Sequence, residues 1–160
     1  MRAMSVKVAI VGCGTVGGAT AQHLIEQHDL IQSRYGVDIE LAAVVDRNLD
    51  HAKSLGFPQE LLTSNLDDTL ARDDVEIAVE LIGGTEFAGT LIKQAVAAGK
   101  HAVTANKALL AHRGPELFAA ARSADRALAF EASCGGGIPV IRALTEGLAG
   151  NRIDAIYGIV

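Results

Sequence analysis

A chain of 160 residues with 49% hydrophobic content can bury one good core, and its length is that of a single domain. A formal net charge of −5, with no basic stripe and few aromatic side chains, argues against a nucleic-acid partner held by phosphate neutralisation. The longest apolar runs fall far short of the roughly 18 residues that span a bilayer, and the N-terminus lacks the regions of a signal peptide, so a cytoplasmic protein with no membrane partner is expected.

The first predicted strand, Val6 to Val11, feeds directly into Gly12, Gly14 and Gly17, a G-x-G-x-x-G spacing. In such a strand-to-helix junction the first glycine allows a tight turn, the second leaves room for a pyrophosphate, and the third lets the helix lie close to the strand. Helical spacing follows at Ala21, Leu24 and Ile25. The free N–H groups and positive dipole end of that helix favour phosphate. Together these features predict a dinucleotide site, with a ligand-free tight turn as the rival reading. Cys13 inside the loop reads as a packing side chain. It forms no C-x-x-C pattern with the distant Cys134, and the five histidines show no ligand spacing.

A second strand is predicted over Leu41 to Val45, followed by Asp46-Arg47-Asn48, where a dinucleotide-binding fold places the residue that inspects the adenosine ribose. Asp46 suits the 2′-hydroxyl of NAD, whereas Arg47 suits the 2′-phosphate of NADP, so the cofactor choice stays open. The interval from Gly17 to Asp46 exceeds the usual spacing of about 20 residues, because Gln27 to Glu40 lengthens the link from helix to strand.

Short helices are expected within Leu49 to Gly56 and around Asn65 to Ala71. The third strand, Ile77 to Ile82, runs into Gly83, Gly84 and Thr85, and ligands of open α/β sheets bind beyond such carboxyl ends, so this loop is expected near the nicotinamide half. A helix over Thr90 to Ala98 stops at Gly99. The fourth strand, His101 to Thr104, leads into Asn106 and Lys107 at the same rim, where a cation can hold a carbonyl oxygen, a carboxylate or a cofactor amide. Gly114 and Pro115 are expected to open another helix with Leu117, Phe118 and Ala121 turned inward, and Ala127 to Phe130 completes the strands.

Strands alternating with helices predict an α/β, Rossmann-type, doubly wound parallel sheet. Residues 1–137 form its dinucleotide-binding domain, and 138–160 read as a hinge, a helix over Val140 to Leu148 and a strand over Ile153 to Val160. A final β-like run without a partner predicts truncation before a further domain.

These segments carry a family resemblance. GCGTVGG at 12–18, ELIGG at 80–84, TANKALLA at 104–111, FEASCGGGIPVIRALTEGL at 130–148 and IYGIV at 156–160 stand in the order of the homoserine dehydrogenase family, which the chain resembles from Val6 onward. The resemblance implies NAD- or NADP-dependent interconversion of aspartate 4-semialdehyde and homoserine, on the way to threonine and methionine. It assigns Gly12, Gly14, Thr15, Val16 and Gly17 to the cofactor cradle and Lys107 to the junction of nicotinamide and substrate. It also implies a monovalent cation, sodium or potassium, at Glu131, Cys134, Gly136 and Ile138, held largely by backbone oxygens, with cysteine where valine is expected. The family continues into a substrate and dimerisation domain, so the full enzyme is expected to be a homodimer and this stretch alone to bind cofactor without turnover. Another small Rossmann oxidoreductase and a non-catalytic nucleotide sensor are the rival readings.

Overall fold

The computed structural model describes residues 4–158. Six strands form one parallel sheet: β1 (Met4–Val11), β2 (Val37–Val45), β3 (Leu62–Thr63), β4 (Ile77–Glu80), β5 (His101–Thr104) and β6 (Leu128–Ala129). Their spatial order is β3-β2-β1-β4-β5-β6, the doubly wound order in which the chain reverses direction beside β1 and opens a crevice at the strands' carboxyl ends.

Helices cover both faces: α1 (Thr15–Glu26), α2 (His28–Tyr35), α3 (Asp50–Ser54), α4 (Leu66–Ala71), α5 (Glu86–Ala97) and α6 (Lys107–Ser123). The sheet is therefore apolar on both sides, as parallel sheets must be. In β1, Ala9 and Val11 join one buried cluster with Leu70, Leu91 and Ala95, while Ile10 points into the opposite cluster with Ala21, Ala52 and Phe57. A third cluster packs α5 and α6 around Ala102 and Leu128. The register of β1 on β2 slips between Val8 and Ala9, leaving Ala42 as an extra residue whose carbonyl accepts from the Arg72 guanidinium at 3.0 Å.

Several expected boundaries move. The link over Gln27 to Glu40 contains α2 and the first part of β2, so the second strand begins at Val37 rather than Leu41. β3 was not expected. The helix expected from Thr90 begins at Glu86, and Gly99 follows it at φ +78°. Gly114 and Pro115 do not open a helix: α6 starts at Lys107, capped by the Asn106 side chain accepting from Leu109 N–H at 3.0 Å. Pro115 thus lies inside α6 and removes the donor for Ala111, a residue that is itself exposed.

After β6 the chain makes two single turns of 3₁₀ helix over 131–133 and 135–137. It then forms α7 (Val140–Arg142), which continues as a π-helical turn over Ala143–Gly147. The strand expected over Ile153 to Val160 is absent from 153–158, which pair with no other strand; 159 and 160 lie outside the described residues. Ile153, Ile156 and Tyr157 are exposed there, so their apolar character does not translate into a strand in the absence of a neighbour.

Candidate functional site

The glycine loop between β1 and α1 divides its three positions by what surrounds them. Gly12 has φ +100°, and a side chain there would stand 2.7 Å from the carbonyl of Leu81. A Cβ on Gly17 would stand 1.8 Å from the Gly12 carbonyl oxygen, so only glycine lets α1 approach β1 this closely. Gly14 differs. A Cβ there would meet nothing within 4 Å, and the residue faces an open cleft. It is also the N-cap of α1, with no side-chain cap and no acidic residue in the first turn, which leaves the helix's leading N–H groups for an anion. Thr15 and Val16 are exposed at that start.

The cleft has a volume of about 840 Å³ and lies across the carboxyl ends of β1, β2 and β4. It brings together Gly12, Gly14, Asp46, Arg47, Gly83, Gly84 and Thr85, which the sequence reading had assigned to one ligand from three separate segments. Ser64, Leu66 and Phe87 also line it and were not anticipated. Two of them follow the unforeseen β3, and Phe87 stands exposed in the first turn of α5.

Asp46 has a structural task of its own. Its carboxylate accepts the Cys13 N–H at 2.6 Å and the Asn48 N–H at 3.1 Å, tying the end of β2 to the glycine loop. A carboxylate has about four acceptor positions, so this leaves capacity for a hydroxyl. Burial, and secondarily the Asp46 charge, push the Cys13 thiol up from its ordinary value, which keeps it protonated and inert as a packing residue. Arg47 is exposed on the cleft wall and makes no hydrogen bond or ion pair among the described residues.

On the far side of the cleft, Glu80 is 1% exposed at the end of β4. One carboxylate oxygen accepts the N–H groups of Ile82 (2.9 Å) and Gly83 (3.3 Å), and the other accepts the Thr104 hydroxyl at 2.5 Å. Thr104 in turn accepts the Asn106 N–H at 3.0 Å, and the Asn106 amide donates to the Gly84 carbonyl at 2.6 Å. Lys107 follows directly at the start of α6, exposed and outside the cleft lining. Sequence reading placed Asn106 and Lys107 at this rim but gave Glu80 no role. The available signal was a carboxylate at the end of an otherwise apolar strand.

The hinge residues lie apart from the cleft lining. Glu131 uses its carboxylate to accept the N–H groups of Ile141 (3.0 Å) and Arg142 (2.8 Å), and its carbonyl accepts from Cys134 N–H at 3.1 Å. The Ile138 carbonyl accepts from Val140 N–H at 2.7 Å, and Gly136 has φ +53° between two other glycines of positive φ. Among the described residues no group of three His, Cys, Asp or Glu side chains can hold a metal, so any ion here would rest on backbone oxygens.

The family model for the homoserine dehydrogenase NAD-binding domain matches residues 12–131. This chain belongs to that family. A homoserine dehydrogenase of Synechocystis is 43% identical over 157 residues, covering 98% of this chain and 36% of the relative. A Pseudomonas aeruginosa homoserine dehydrogenase is 43% identical over 155 residues, covering 97% of this chain and 35% of the relative. Among solved structures, a homoserine dehydrogenase from Thiobacillus denitrificans superposes with a TM-score of 0.84 at 46% identity, covering 92% of this chain and 34% of that one. The chain thus spans about a third of the length of the curated relatives it matches.

Proposed function

We propose that the cleft binds NAD or NADP, and that the chain serves as the dinucleotide-binding part of a homoserine dehydrogenase that interconverts aspartate 4-semialdehyde and homoserine. The observation that carries this reading is the contrast among the three glycines: a side chain on Gly12 or Gly17 would strike backbone, while Gly14 alone of the three leaves open space for a ligand, on the cleft and at the uncapped start of α1. That is the arrangement a pyrophosphate requires.

In this reading, the leading N–H groups of α1 hold the phosphates, with Thr15 and Val16 at their edge. Asp46 offers its remaining acceptor capacity to a ribose hydroxyl, and Arg47 offers an unpaired guanidinium to a 2′-phosphate. Gly83, Gly84 and Thr85 border the nicotinamide half. A bound nicotinamide dinucleotide supplies the hydride equivalent for the aldehyde and alcohol interconversion. Lys107 contributes a positive charge at that rim, where it steadies negative charge building on the substrate oxygen.

The same reading extends to the features that the family resemblance implied. Glu131, Cys134, Gly136 and Ile138 would hold sodium or potassium through carbonyl oxygens, since Glu131 and Ile138 each keep one acceptor position after their backbone hydrogen bonds. Such an ion would stiffen the hinge. Residues 1–137 act as the cofactor domain, 138–160 lead into a substrate and dimerisation domain, and the whole enzyme is a cytoplasmic homodimer in threonine and methionine synthesis. Among the described residues no helix is long and apolar enough to cross a membrane.

Fluorescence titration of the chain with NADH and NADPH tests the proposal. Saturable binding of either supports it, and no binding up to millimolar concentration overturns it.

A further inference from the structure

The carboxylate of Glu80 is nearly inaccessible, yet it does not pair with a cation: its partners are two loop N–H groups and one hydroxyl. A buried charge is costly unless fully hydrogen-bonded, and here three donors from two segments converge on it. The bonds close a ring. Glu80 fixes Gly83 N–H, Asn106 fixes the carbonyl of Gly84, and Thr104 joins Asn106 back to Glu80. Two loops that are separate in sequence are thereby locked to each other at one edge of the cleft. Gly83 and Gly84 have φ +84° and +71°, a shape few other residues adopt, and the bonds from Glu80 and Asn106 hold these flexible residues in one arrangement. Asn106 also caps α6, so the same ring sets where Lys107 emerges.

We propose that Glu80 is a positioning residue, acting through Thr104 and Asn106, which shapes the Gly83–Gly84 loop and the Lys107 turn for the nicotinamide half of the dinucleotide. This rests on the reading of the cleft as a nicotinamide dinucleotide site. Glu80 reaches no ligand directly, because its side chain is buried behind the loop. The glycine loop between β1 and α1 and the end of β2 contribute no residue to the ring, although Gly12 packs against Leu81 and Ile82 beside it.

The test compares NADH with ADP-ribose, which has the adenosine and pyrophosphate but no nicotinamide, in titrations of the wild-type chain and of Glu80→Gln, Thr104→Val and Thr104→Ser. Glu80→Gln replaces one acceptor oxygen by a donor, and Thr104→Val removes the hydroxyl that bridges to Asn106. Each is expected to weaken NADH about tenfold while changing ADP-ribose by less than about twofold. Thr104→Ser keeps the hydroxyl and should preserve the wild-type ratio. Parallel loss of both ligands in Glu80→Gln and Thr104→Val would show a merely structural role and overturn the proposal, as would an unchanged NADH to ADP-ribose ratio in both. Equal affinity of the wild-type chain for the two ligands would likewise overturn it. Failure of the wild-type chain to bind either would overturn the reading of the cleft itself.

Discussion

The carboxylate of Asp46 holds the backbone N–H of Cys13 at 2.6 Å across 33 residues of sequence. An aspartate at the end of the second strand therefore shapes the glycine loop as well as lining the cleft. Cys13 is 2% exposed, so deleting its acceptor strands a buried donor. Asp46→Ala is expected to cost about 1 to 3 kcal/mol of stability and to weaken NADH more than NADPH, because only NADH presents a 2′-hydroxyl to the carboxylate. Arg47→Ala, by contrast, should leave stability unchanged and weaken NADPH more than NADH, because the guanidinium makes no bond among the described residues. Denaturant unfolding and paired cofactor titrations separate the two effects.

Gly14 and Gly17 should fail in opposite ways. Gly17→Ala forces a methyl group against the Gly12 carbonyl, and overpacking of this kind costs about 3 kcal/mol, read as a lower thermal midpoint. Gly14→Val places its branches in open space, so the midpoint should hold while dinucleotide binding is lost. A Gly14→Val chain that unfolds would contradict the open cleft.

His28 lies between Asp38, at 2.6 Å, and Asp29, at 3.1 Å, and their hydrogen bonds raise its pKa above the ordinary imidazole value, Asp38 foremost. The folded state thus binds the proton more tightly than the unfolded one. The resulting stabilisation is fully present below the unfolded value of about 6.5 and is lost as pH rises through the raised folded value. Asp38→Asn should therefore destabilise the chain at pH 5.5 more than at pH 8.5. An equal difference at both pH values would show that the imidazolium pair contributes nothing.

How much of this was readable from the chain depends on which residues carried a local signal. β1, β4 and β5 were legible because their buried residues form short apolar runs that end in glycine or polar residues. The glycine triplet was legible because its spacing reflects three steric demands. α2 was hidden because none of its residues is buried, which leaves no apolar stripe to detect. β3 is two residues long and depends on its neighbour β2 for definition. At α6 the Gly114-Pro115 pair outweighed the true start at Lys107, although the capping bond of Asn106 to Leu109 N–H spans only three residues and was a legible signal. The Glu80 to Thr104 bond spans 24 residues and follows from the pairing of β4 with β5, which no spacing rule encodes.

Lys107 is exposed and does not line the cleft, so under the proposed function its charge acts on the reacting oxygen more than on cofactor affinity. In an enzyme that carries this domain with the remainder of the family's length, Lys107→Ala should lower turnover about a hundredfold and change cofactor Kd less than about threefold. Unchanged kcat would remove the lysine from the reaction.

The location of the dinucleotide site is tested most directly by amide chemical-shift mapping of the isotope-labelled chain as NADH is added. The largest shifts should fall on Gly14, Thr15, Val16 and Gly17, with a second group at Asp46 and Arg47 and a third at Gly83 to Thr85. These three groups come from separate segments whose loops meet at the cleft. Shifts confined to other surfaces, or no shift at saturating NADH, would contradict the account.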